Sequence, residues 1–121
     1  MRMEIETNLK EDTKELLTLH PEWAPILLSC VQLSQEGPGG ELDGSAVRNR
    51  AQQFGWSLLP LKKFGILEKA GPARRKGHIG IYRMRNAKAV EDALVERGYD
   101  VHARLSGDFF AQHEKWLHRA L

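Results

Sequence analysis

The stretch Leu61-Lys62-Lys63-Phe64-Gly65-Ile66-Leu67-Glu68-Lys69 decides how the chain is read, together with the tip Gly71-Pro72-Ala73-Arg74-Arg75-Lys76-Gly77 and the return His78-Ile79-Gly80-Ile81-Tyr82-Arg83-Met84. Leu58, Leu61 and Phe64 recur at helical spacing and leave Lys62 and Lys63 facing outward, which predicts a short helix from Ser57 to Phe64. Pro60 fits only in its first turn, where the amide hydrogen it lacks has no intrahelical partner. Gly65 closes the helix, because glycine leaves it through a positive φ at no steric cost. Ile66 to Lys69 then reads as a strand, the segment rich in Gly, Pro and cations as a turn, and the alternating return as its partner. Ile79, Ile81 and Arg83 share one face of that return strand, and Gly80, Tyr82 and Met84 the other.

Upstream, Val47, Ala51 and Phe54 mark a helix from Ser45 to Phe54 that Asp43 or Ser45 can cap and Gly55 ends. Its residues Arg48, Asn49, Arg50, Gln52 and Gln53 point mainly away from the apolar face. Glu41-Leu42-Asp43 reads as a very short strand. Before it, Gly37-Pro38-Gly39-Gly40 terminates a helix that opens near Pro21 and Pro25, with Trp23, Ile26, Leu27, Cys30, Val31 and Leu33 on a broad apolar face. At the N-terminus the alternation of Met3, Ile5 and Thr7 predicts a short edge strand. Asn8 and Glu11 then form a capping box for a helix carrying Leu9, Thr13, Leu16, Leu17 and His20. Downstream, Ala89, Val90, Ala93, Leu94 and Arg97 follow Asn86 at helical spacing, with Gly98 as the stop. Tyr99, Val101, Ala103 and Leu105 alternate as a strand or an extended tail, and Ser106 or Asp108 opens a last helix bearing Phe109, Phe110, Trp116, Leu117 and Leu121.

A chain of 121 residues, 41 % hydrophobic and 28 % charged, is the size and balance of one globular domain with appendages. No run approaches the roughly 18 apolar residues of a membrane span, and the first ten residues carry acids where a secretory leader carries cations. A cytoplasmic protein is expected. Cys30 is the only cysteine, so an internal disulfide or a cysteine-based zinc site cannot form, and it reads as a small buried hydrophobe.

The net charge of +2 conceals three blocks. Met1 to Gly44 holds three basic residues against nine acids. Ser45 to Asn86 holds ten basic residues against one acid, Glu68, and the remainder holds five against six. Near-exclusion of acids over forty-two residues points to a face that meets a polyanion, because cations that only solvate a surface are normally mixed with acids.

The order helix, short strand, helix, helix, strand, basic tip, strand, helix resembles the winged helix-turn-helix proteins over Pro21 to Gly98. The resemblance implies an α+β, mostly helical fold, a winged helix-turn-helix with extra N- and C-terminal helices. On that division residues 1–20 are a strand and helix extension, 21–98 the winged-helix domain, and 99–121 a C-terminal extension. It also implies DNA binding, as in transcription regulators. The expected contact set is Arg48, Asn49, Arg50, Gln52 and Gln53, with Ser57, Lys62, Lys63, Arg74, Arg75, Lys76 and Arg83. Arg can fork onto guanine and Asn or Gln onto adenine, whereas Lys62, Lys63 and the cationic tip suit phosphates. The helix from Ser45 to Phe54 carries more base-reading chemistry than the shorter one after it, and either could enter a groove.

Enzymatic readings find little. His113-Glu114-Lys115-Trp116-Leu117-His118 looks like a zinc-protease helix, but its second histidine is one position too far, which at 100° per residue turns the imidazoles roughly 140° apart. No phosphate-binding glycine loop ending in Lys-Ser/Thr and no G-x-S-x-G turn is present. The expectation is therefore a protein that is not an enzyme, with no cofactor or metal. Its partner would be double-stranded DNA, with RNA open to the same chemistry, and the aromatic C-terminal segment would make a homodimer. The alternative is a winged-helix module that docks on protein, since the fold serves both roles.

Overall fold

The computed structural model describes residues 2–51, 58–73 and 79–105. In chain order they form helix α1 (Arg2–Leu19), a 3-10 turn (Pro21–Trp23), α2 (Ala24–Glu36), a second 3-10 turn (Pro38–Gly40), strand β1 (Glu41–Asp43), α3 (Gly44–Ala51), α4 (Leu59–Phe64), β2 (Leu67–Gly71), β3 (Ile81–Met84) and α5 (Ala87–Glu96).

Helix α1 replaces the strand expected at Met3, Ile5 and Thr7. A period of two over three positions is a weak signal, and once a helix is nucleated downstream each added residue costs little. With Asn8 inside the helix, the capping box expected there does not open it. Thr13, Leu16 and Leu17 are buried, and the Thr13 hydroxyl donates to the Leu9 carbonyl at 2.6 Å. His20, placed by its spacing on the same face, is exposed just beyond the helix and meets Glu22 at 3.1 Å.

Helix α2 is the centre of the molecule. Every residue from Ala24 to Val31 is buried, as befits a helix that is apolar nearly all round, and Ser29, polar and buried among them, gives its hydroxyl proton to the Pro25 carbonyl at 2.8 Å. Leu16 and Leu17 of α1, Val47 and Ala51 of α3, Leu61 of α4, Leu67 and Met84 of the strands, Val90 and Leu94 of α5, and Tyr99 and Val101 beyond it share one core with α2. Asn86 caps α5 by accepting the Ala89 amide at 3.1 Å. Lys10 and Lys14 of α1 both reach Glu96, the second at 2.9 Å, and the Arg97 side chain donates to the Lys14 carbonyl at 3.2 Å.

The strands form an antiparallel sheet in the order β1-β3-β2. Glu41, Leu42 and Asp43 pair with Arg83, Tyr82 and Ile81, and Leu67, Glu68 and Lys69 pair with Met84, Arg83 and Tyr82. Gly65 joins α4 to this sheet with φ +88°, the Gly65 amide donating to Lys62 and the Ile66 amide to Leu61, so that the helix ends in a Schellman motif. The succession α2, β1, α3, α4, β2, β3 with β3 central is a winged-helix topology, and the fold is α+β and mostly helical. Tyr99 to Leu105 forms no strand, and the segment turns where Ala103 donates to Asp100 at 3.0 Å. No helix among the described residues is long and apolar enough to cross a membrane.

Candidate nucleic-acid interface

Three short elements carry the basic block, and their junction is tightly built. The Asp43 carboxylate accepts the Ser45 amide at 2.8 Å, as an N-cap should, which frees the Ser45 hydroxyl to accept the Ile79 amide at 2.8 Å. The Gly44 amide donates to the Gly80 carbonyl at 3.0 Å. A Cβ on Gly44 would stand 2.4 Å from Ile79 Cγ2 and 3.0 Å from Leu58 Cδ1, so only glycine lets the first turn of α3 lie against both the base of the hairpin and the approach to α4. The hairpin base is thereby held against α3.

On α3, Val47 and Ala51 face the core, Asn49 is exposed and Arg48 half-buried. Arg50, expected to read bases, faces elsewhere. Its Nη1 and Nη2 donate to the two carboxylate oxygens of Glu36 at 2.6 and 2.9 Å, and Nη1 also meets Gln32 Oε1 at 3.3 Å. Gln32 in turn donates to the carbonyls of Val101 and Ala103 at 3.2 and 2.8 Å. The Arg50 hydrogen bond holds the Glu36 carboxyl below its ordinary value, and the same bond raises Arg50. These groups line an open groove of about 510 Å³, with Gln35, His102 and Arg104 beside them. Because Arg50, Glu36 and Gln32 satisfy one another, the groove braces α3 against α2 and the tail.

On α4, Leu61 is buried and Lys62 and Lys63 are exposed in the last turn, with Leu59 and Phe64 also reaching solvent at 50 % and 38 % exposure. On β3, Arg83 is exposed, but its register places Glu41 opposite it on one side and Glu68 on the other, and Glu41 Oε2 lies 3.9 Å away. Arg85, which is not in the contact set expected from the sequence, lies against the end of α4. A period of two puts both arginines on one face, and only the neighbouring strands separate them.

Gln52, Gln53, Ser57, Arg74, Arg75 and Lys76 lie outside the described residues, as do Phe109, Phe110, Trp116, Leu117 and both histidines of the zinc-protease-like segment. Cys30 is fully buried, and desolvation pushes its thiol up to about 12, so it stays protonated near neutrality. Comparison with protein-family models, with curated proteins and with solved structures finds no match.

Proposed function

We propose that this chain is a DNA-binding winged-helix protein of the transcription-regulator type. It grips duplex phosphates through Lys62, Lys63 and the tip Arg74-Arg75-Lys76, and offers Arg48 and Asn49 of α3 to base edges. The observation that supports this reading most is how the cations are partnered. Lys10, Lys14 and Lys88, on the helices outside the basic block, each have a carboxylate within ion-pair distance, whereas Lys62 and Lys63 are exposed and have none among the described residues. Crowding unpaired like charges costs stability unless a polyanion supplies the counter-charge. The reading carries with it a cytoplasmic, non-enzymatic protein that forms a homodimer through its C-terminal aromatics; light scattering giving a monomer mass at tens of micromolar would remove the dimer.

The decisive experiment replaces Arg74, Arg75 and Lys76 together with alanine. If each neutralises one phosphate, the slope of log K against log salt should flatten by up to roughly 2.7 units, with unchanged melting and unchanged sequence preference. Unchanged slope and affinity would make the tip a solubility device. That result would favour docking on protein, a reading to which the exposed Leu59 and Phe64 on a helix of six residues lend some weight.

A further inference from the structure

We infer that Arg85 completes a phosphate-binding cluster with Lys62 and Lys63 at the C-terminal end of α4, and that Arg83, two positions earlier, stands outside it. The inference rests on the DNA-binding reading and names a contact in the same interface. The Arg85 amide donates to the Ile66 carbonyl at 3.1 Å, which ties the residue to the start of β2 just after α4. Its guanidinium lies over Gly65, with Nη1 3.9 Å from where a Cβ would stand, and Gly65 follows directly on the turn that carries Lys62 and Lys63. All three cations are exposed, and none has an ion-pair partner among the described residues. The C-terminal end of a helix favours cations, so these groups gather there at reduced electrostatic cost.

Arg83 has the same charge and exposure and a different setting. A phosphate brought to it would also meet Glu41 and Glu68, its register partners on both sides, and their repulsion offsets the attraction. Arg85 has no acid in that position. Its planar fork aims two parallel N–H donors at two phosphate oxygens in a fixed geometry, whereas the ammonium groups of Lys62 and Lys63 act as compact point charges.

The test measures salt-dependent binding to a labelled duplex of mixed sequence for the parent, Arg85→Gln, Arg83→Gln, Lys62→Gln and Arg85→Lys, with a thermal melt of each. Arg85→Gln should melt with the parent and flatten the salt slope by about 0.9, as Lys62→Gln does, while Arg83→Gln leaves the slope in place. Arg85→Lys should keep the slope and lose part of the affinity, because the charge remains and the fork does not. A parental slope in Arg85→Gln beside a flattened one in Lys62→Gln overturns the inference, as does equal flattening by Arg83→Gln and Arg85→Gln. A parent that binds no duplex at any salt overturns the DNA-binding reading itself, and this assignment falls with it.

Discussion

The body made by α1, α2 and α5 and the region made by α3, α4 and the hairpin handle charge in opposite ways. In the body, cations are matched locally: Lys10 and Lys14 converge on Glu96, and Lys88 meets Asp92 four residues on. In the second region Arg48, Lys62, Lys63 and Arg85 have no acidic partner among the described residues. Arg50 and Arg83 are the informative exceptions, each turned toward a carboxylate, Glu36 or Glu41. The difference teaches that one shared core holds both regions, while the basic one alone gathers several cations with no carboxylate against them.

The sharpest way to break this comparison is to damage each part in turn. Leu27 is completely buried in the first turn of α2, so Leu27→Ala should cost about 2–5 kcal/mol, the loss of its transfer free energy plus an imperfectly filled cavity. The double variant Lys62→Ala, Lys63→Ala removes only exposed groups and should stay within about 0.5 kcal/mol of the parent. Urea unfolding reads both. A large loss in the lysine variant would mean that these cations hold the fold together, and the comparison would fail.

Much of the fold was legible from residues whose effect is local. Gly65 and Gly98 stop helices because the positive φ they adopt is written into the residue type, and Glu41-Leu42-Asp43 was recognisable as a strand between a glycine-rich stop and a capping aspartate. The N-terminal strand failed because three alternating positions compete poorly with propagation of an adjoining helix. The candidate site was legible as a charge block and much less so residue by residue. Arg50 belongs to the brace because Glu36, fourteen residues away, reaches it, and Arg83 differs from Arg85 only through the strands that flank it. Partners of that kind are set by tertiary packing and leave no periodic trace.

A smaller effect sharpens the boundary between the two regions at the point where they touch. Gly44→Ala places a methyl group against Ile79 Cγ2 and Leu58 Cδ1, and overpacking of this kind should cost about 1–3 kcal/mol. Adding Ile79→Ala should recover part of the loss, since the space claimed by the new methyl is then vacated. If the second substitution only adds to the first, the hairpin base is not seated on α3 in the way the Ser45 to Ile79 hydrogen bond indicates.

The smallest expected effect decides to which region Arg50 belongs. Glu36→Gln removes the carboxylate that Arg50 grips, but the Glu36 side chain is 57 % exposed and solvent screens the pair, so the cost at neutral pH should be at most about 1 kcal/mol. Its pH dependence has a definite sign. The folded-state pKa of Glu36 is lowered, first by the hydrogen bond from Arg50, so the contribution is complete above the ordinary carboxyl value of 4.5 and is lost as pH falls through the lower folded value. The stability gap between parent and Glu36→Gln should therefore close in acid. DNA binding supplies the discriminating half of the experiment. If Arg50 braces α3 and stays with Gln32, the variant binds with the parental salt slope. If Arg50 instead swings to a phosphate once released, the slope steepens by about 0.9, and Glu36 becomes a guard on the interface where it now reads as part of the body.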